Sequence, residues 1–232
     1  MPYNGMRKTL CILLALGMAA VMCYSGAELL AIDEETKTER RIHAQFLEHK
    51  PEPAGEDPLA QLRAQNPDII GWITVPATNI DYPIVQAKDN LYYLRRDLKR
   101  EPAAPGTIFM DCRSPGDGSG YSVIYGHHMK SGAMFGTLKR FGDKAFFDAH
   151  PEGQILFEDG WHTLRFFAFL IVGANDSVIY SVPQGEGFLE DIAGRAIHYR
   201  ETDAAGGDRI AALSTCSYEF QGARMVLLGK IT

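Results

Sequence analysis

Apolar positions follow three regimes along the chain. Thr9 to Ile32 (TLCILLALGMAAVMCYSGAELLAI) is apolar on every side, and Glu28 is its one charge. A helix with no polar face buries itself or crosses a membrane, and roughly 20 residues span the hydrocarbon. Residues 33–50 (DEETKTERRIHAQFLEHK) are charged helix formers and read as a stalk helix. Residues 51–58 (PEPAGEDP) break that helix and form a linker. Beyond Leu59 the pattern becomes short runs rich in β-branched and aromatic residues. Strands are predicted at Ile69–Val75, Ile80–Val85, Thr107–Met110, Tyr121–Tyr125, Gln154–Phe157, His162–Val172, Arg209–Thr215 and Arg224–Ile231. Helical stretches are few: Leu59–Gln65, Asn90–Leu98, Ala133–Phe141 and Phe188–Tyr199. About eight strands with a few helices predict a mainly β fold, a closed or nearly closed β-barrel with helical insertions.

Charge flanking the first segment gives it a direction. Arg7 and Lys8 precede it, while Asp33, Glu34 and Glu35 follow it. Positive charge stays on the cytoplasmic side, so the N-terminus is expected inside and the rest outside. The predicted organisation is a cytoplasmic tail (1–8), a transmembrane anchor (9–32), an extracellular stalk and linker (33–58) and a compact domain (59–232). A cleaved signal peptide is the rival reading, with Ser25-Gly26-Ala27 as a small-residue site. The apolar stretch is longer than a usual signal core, which favours the uncleaved anchor. Bulky Met22 stands against a lipoprotein site at Cys23. A buried core helix fits poorly, because the segment is terminal, apolar on all sides and followed by a polar stalk.

Composition narrows the function classes. The chain has 46% hydrophobic, 22% charged and 10% aromatic residues, as in an ordinary globular domain. Its net charge of −6 argues against a general nucleic-acid binder, which needs a basic excess or a dense basic patch. There is no P-loop, dinucleotide fingerprint or C-x-x-C pair. Four cysteines are too few for a disulfide-built scaffold. Cys11 and Cys23 lie in the apolar segment, which leaves Cys112 and Cys216 for the exported part.

Cys216 ends the apolar run Ile210–Thr215, and the chain turns before Arg224–Ile231. If these runs pair as a hairpin, Cys216 faces Arg224 near its open end. A guanidinium beside a thiol favours the thiolate and can hold an oxyanion. From the hairpin alone, a buried structural cysteine is an equal reading. His127 follows the strand Tyr121–Tyr125 after Gly126 and is placed to act as acid or base. Taken alone, a solvated loop histidine is the favoured reading. His128 points to the opposite face of an extended chain. Asp111 and Glu219 are available to orient the histidine, but nothing in the sequence singles them out. No cluster has metal-ligand spacing, so neither metal nor cofactor is expected.

The segments Tyr125-Gly126-His127-His128-Met129, Met134–Phe141, Leu213-Ser214-Thr215-Cys216 and Arg224-Met225-Val226-Leu227 together resemble a class B sortase. So do Asn66–Ile73, Asn79–Gln86 and Phe109-Met110-Asp111, in the same order over roughly 59–232. The resemblance implies an eight-stranded sortase-type barrel behind a membrane anchor, on the outer face of a Gram-positive-type cell. It implies a cysteine transpeptidase that cleaves a C-terminal sorting signal after Thr. A thioacyl-enzyme would pass the protein to an amine of the cell wall or of a pilin. The partners would be secreted proteins bearing that signal and a peptidoglycan-precursor or pilin amine. Cys216 matches the nucleophile, His127 the acid/base and Arg224 the oxyanion and substrate stabiliser. Asn90, Leu94 and Ser214 match positions lining the signal groove. Two residues depart from the pattern: Ala212 replaces the first Thr of T-L-x-T-C, and Cys112 replaces a common Tyr. Cys112 reads as a passive half-buried residue more readily than as a redox partner of Cys216. Two rival functions remain, a cysteine endopeptidase with water as acceptor and a non-catalytic barrel that binds.

Overall fold

A computed structural model of the chain describes residues 12–13, 15–27, 30, 37, 41, 44, 47–52, 58–182, 184, 187–216 and 221–232, with Cys216 described by its backbone alone. The chain divides into two compact units, Met1–Ile42 and His43–Thr232. In the first, the described residues between 12 and 27 are helical. Ile12, Leu13, Leu16, Met18, Val21 and Met22 on it are all exposed. Among the described residues no helix is long and apolar enough to cross a membrane. The anchor predicted at 9–32 and the stalk at 33–50 fall partly outside the described residues, as do 53–57 of the linker.

The second unit is built on one sheet. Its strands are β1 (Ile69–Val75), β2 (Ile80–Val85), β3 (Phe109–Met110), β4 (Tyr121–Tyr125), β5 (Glu152–Phe157), β6 (Gly160–Gly173), β7 (His198–Tyr199), β8 (Ile210–Cys216) and β9 (Ala223–Ile231). They run in the order β5-β1-β2-β3-β4-β8-β9-β6-β7, and β5 also pairs with β6. That last pairing closes eight strands into a barrel, and β7 hangs on β6 outside the circuit. Closure leaves those eight strands without a free edge.

The hydrophobic pattern explains which side faces in. On β8, Ala211 and Leu213 join the barrel interior, while Ile210 and Ala212 pack outward on a second apolar cluster. On β9, Met225 and Leu227 alternate with Val226 and Leu228 in the same way. Both faces are buried, so these strands read as continuous apolar runs rather than alternating ones. On β6, Leu164, Phe166 and Phe169 point in, whereas Phe167, Ala168 and Leu170 point out. The break in parity falls at the register shift between Phe166 and Ala168, where an irregularity resets the alternation.

The predicted strands hold, with β7 added. The helical stretches hold less well. Leu59–Gln65 is helix α1 (Ala60–Gln65). Asn90–Leu98 yields only a 3-10 turn at Tyr93–Arg95, because the chain turns back to bridge Arg96 with Pro102. Ala133–Phe141 becomes a 3-10 turn at Leu138–Gly142. Helix α2 (Lys144–Ala149), not foreseen, follows it, with Asp143 capping Phe146 N. The long β6–β7 connection holds α3 (Ser177–Tyr180) and α4 (Phe188–Arg195). Helix α4 stops before Tyr199 because Ile197 N turns to the Phe169 carbonyl and the chain enters β7.

Ahead of α1, Lys50 Nζ reaches Asp81 Oδ1 at 2.8 Å and Thr74 Oγ1 at 3.0 Å, while Trp72 Nε1 donates to the same Oδ1 at 2.6 Å. The segment before the linker is thereby tied to β1 and β2. Glycine matters most where β1 meets β5: a Cβ at Gly71 would run into the Leu156 carbonyl oxygen. Gly71→Ala should therefore destabilise the barrel by about 1–3 kcal/mol. Urea unfolding followed by the fluorescence of the adjacent Trp72 measures this, and an unchanged midpoint would show that the two strands can part freely.

Candidate active site

Strands β4 and β8 run parallel from Tyr121↔Ile210 to Tyr125↔Ser214. Gly126 N extends the ladder by donating to Ser214 O at 3.1 Å. The same register carried two residues further brings His127 alongside Cys216. β9 then starts back antiparallel, and its register sets Arg224 opposite Cys216, as the hairpin reading expected. Arg224 also pairs with Val172 near the end of β6. Cys216 and Arg224 thus pair at the ends of β8 and β9, and His127 follows two residues past the end of the neighbouring β4. Glu219 lies outside the described residues.

A cleft of about 320 Å³ opens there. Asn90, Leu94, His127, Ser214 and Arg224 line it together with Phe109, Arg113, Tyr125, Ala174, Tyr180 and Thr215. The structure therefore gathers the predicted binding residues with His127 and Arg224, beside the Cys216 backbone. A larger cavity of about 510 Å³, lined by Tyr121, Phe188 and Asp208, sits at the other ends of β4 and β8 and holds none of the predicted residues. Chemistry rather than volume picks out the smaller one.

Asn90 and Leu94 come from the long β2–β3 connection, which is stapled down by polar contacts. Asp89 Oδ1 accepts from the backbone of Leu91 and Tyr92. Tyr93 is buried, its hydroxyl donating to Asp68 Oδ2 at 2.6 Å and accepting from Asn66 Nδ2 at 2.9 Å. Leu94 serves the site through its backbone as well: its carbonyl lies 2.7 Å from His127 Nε2. A carbonyl only accepts, so Nε2 carries the proton. In the neutral ring, Nδ1 is then the basic nitrogen.

The opposite wall comes from the β6–β7 connection. Tyr180 and Ser214 share a hydrogen bond of 2.8 Å between hydroxyls, and the Tyr180 ring stacks on Tyr125 at 6.2 Å. Burial, with Asp111 close by, drives the Tyr125 phenol well above its ordinary pKa, so it stays a neutral donor. Arg224 Nη1 donates to the neighbouring Ala223 carbonyl at 3.0 Å. Cys112, expected to be half-buried, is instead exposed with a free thiol, because it follows β3 into the open connection where its N–H donates to Asn90 Oδ1. Among the described residues no group of His, Cys, Asp and Glu is set to hold a metal ion.

Comparison with known proteins decides the family. The sortase domain model matches residues 73–232. The chain belongs to the class B sortases. The sortase B of Listeria monocytogenes is 35% identical over 184 residues, covering 75% of this chain and 74% of that one. The sortase B of Staphylococcus aureus is 30% identical over 173 residues, covering 72% and 71%. Among solved structures, the Bacillus anthracis sortase B in complex with AAEK1 superposes with a TM-score of 0.75 at 31% identity, covering 86% of this chain and 98% of the other. A Streptococcus pyogenes class B sortase involved in pilus biogenesis gives 0.68 at 34% identity, covering 74% and 96%. As a class B sortase the protein is a cysteine transpeptidase of cell-wall sorting.

Sequence reading missed Arg113, Tyr125 and Tyr180 in this sortase's cleft. Arg113 stood next to a flagged position and Tyr125 two residues before His127, but Tyr180 carried no signal at all. Gly126 gives the site a steric test. A Cβ there would sit 2.5 Å from Ile108 Cδ1 and 2.7 Å from Phe135 Cγ, both fully buried. Gly126→Ala should displace the strand end that carries His127 and lower turnover by about tenfold or more. Steady-state cleavage of a sorting-signal peptide measures it, and wild-type turnover would mean that Phe135 yields instead.

Proposed function

We propose that this sortase cleaves the sorting signal of secreted proteins after Thr, with Cys216 as nucleophile, His127 as acid/base and Arg224 as oxyanion and substrate donor. The observation that carries the reading is the register pair Cys216↔Arg224 beside the strand that leads into His127. Cys216 gives its thiol proton to His127, and the resulting thiolate attacks the Thr carbonyl, its sulfur bonding to that carbon. The C–N electron pair leaves with the amine, which takes a proton from His127. An incoming amine then attacks the thioester and gives its proton to His127 as the thiolate departs. Arg224 holds the oxygen that becomes negative in both tetrahedral steps. Asn90, Leu94 and Ser214 would seat the signal peptide.

The acceptor is an amine of the peptidoglycan precursor or of a pilin; the streptococcal relative acts in pilus biogenesis. Residues 9–32 hold the enzyme in the cell membrane, with the N-terminus in the cytoplasm and the barrel outside. The apolar side chains exposed along residues 12–22 support that anchor. Domain boundaries at 8/9, 32/33 and 58/59 follow from the same reading.

Acceptor dependence separates a transpeptidase from an endopeptidase: added amine should divert product from hydrolysis to ligation. His127→Ala should cut turnover by roughly 10²–10⁴, while His128→Ala has a mild effect; equal losses refute the histidine assignment. Arg224→Lys should keep only a small fraction of activity, since a point charge does not replace a planar fork and one oxyanion donor contributes about 10²–10³. Cys216 should still react with a small alkylating reagent in that variant. Wild-type turnover would make Arg224 structural.

A further inference from the structure

Beside the reacting residues, one carboxylate collects most of the hydrogen bonds in the cleft. Asp111 follows β3, its side chain is fully buried, and its N–H donates to Val123 O at 2.8 Å. Its Oδ1 accepts from Arg113 N and Nε, each at 2.9 Å. Its Oδ2 accepts from Arg113 Nη2 at 2.7 Å, Asn90 Nδ2 at 3.0 Å and the Tyr125 hydroxyl at 3.0 Å. A buried carboxylate is costly unless such a set of donors compensates it. Burial alone would raise its pKa. The bonds from Arg113 and Tyr125 outweigh burial and hold the carboxyl below the usual range.

The three side chains that donate to this carboxylate all line the cleft. Asn90 is fixed at both ends, since its Oδ1 takes the Cys112 N–H at 2.8 Å. Tyr125 passes the order across the cleft by stacking on Tyr180, which bonds Ser214. Arg113 is gripped through Nε and Nη2, and its side chain is 51% exposed. Among the described residues its Nη1 has no partner, so two N–H groups of a fixed guanidinium stay available. Among the described residues no hydrogen bond joins Asp111 to His127, whose Nε2 is taken by Leu94 O. Asp111 is therefore not the group that orients the catalytic histidine.

We infer that Asp111 is a positioning residue of the substrate cleft: its carboxylate fixes Asn90, Arg113 and Tyr125 as one wall, and the free Nη1 of Arg113 on that wall donates to a carbonyl or carboxylate oxygen of the bound peptide. The inference rests on the sortase reading of the cleft. Fixing donors before the substrate arrives removes ordering entropy from binding, so the effect belongs to peptide affinity rather than to bond breaking.

The test compares wild type, Asp111→Asn, Arg113→Gln and the double variant of the full chain, using a sorting-signal peptide. Asp111→Asn keeps the size but sets an amide against donors. It should raise KM about tenfold or more, with kcat changed by less than roughly threefold. Arg113→Gln should move KM in the same direction, and the double variant should be no worse than the worse single, because both changes break one unit. Alkylation of Cys216, read by mass spectrometry, should keep its wild-type rate in all three. Unchanged KM in Asp111→Asn overturns the inference. So do multiplying effects in the double variant, or parallel losses in kcat and alkylation that mark a general structural fault. If Asp111→Asn does not fold, Arg113→Gln decides alone, and an unchanged KM there overturns it. Turnover retained by Cys216→Ala would sink the sortase assignment of the site instead, whatever Asp111 does.

Discussion

The parallel pairing of β4 with β8 is the constraint on which the site depends. Parallel strands end at the same side of a sheet, so the residues just past Tyr125 and Ser214 emerge together. An antiparallel partner on the other side of β8 must then begin where β8 ends, and Arg224 arrives there by register alone. No loop has to search for these positions. The barrel brings the ends of β4, β8 and β9 together, and closure through β5 and β6 keeps those ends from splaying.

Packing makes that arrangement rigid. The interior is filled by apolar side chains from every strand of the circuit, with Phe135 and Leu138 entering from the segment after His127. Phe135 also donates its N–H to the His127 carbonyl at 3.0 Å. The histidine is thus held by its backbone from the core side and by its ring from the Leu94 carbonyl. A second apolar cluster covers the outer face of β4, β8, β9 and β6 beneath α3 and α4, and the same covering carries Tyr180 to the cleft. Core and site share elements, so cleft residues inherit the stiffness of close-packed surroundings.

Polar order complements it. Asp68 and Asp89 fasten the long β2–β3 connection, and Asp111 fastens the wall next to it. Each carboxylate accepts from backbone or side-chain donors, so an irregular connection keeps a defined shape without regular secondary structure.

Much of this was legible in the residues. Runs such as Ile69–Val75 and Arg224–Ile231 fixed their strands through β-branched content, and the motif around Cys216 fixed the chemistry to expect. The short helices were less legible: Asn90–Leu98 carries helix formers, yet tertiary bonds from Tyr93 and the return to Pro102 leave a single tight turn. Local propensity is a weak term that distant contacts override. By itself the sequence determined the strands and the family, because β-propensity and motif chemistry are properties of neighbouring residues. Only the tertiary structure decided that Tyr180 enters the cleft, that Asp111 bonds Asn90, Arg113 and Tyr125, and that His127 meets the Leu94 carbonyl through Nε2. Those facts depend on which atoms lie within hydrogen-bond reach across dozens of residues, and that proximity is created by closing the barrel.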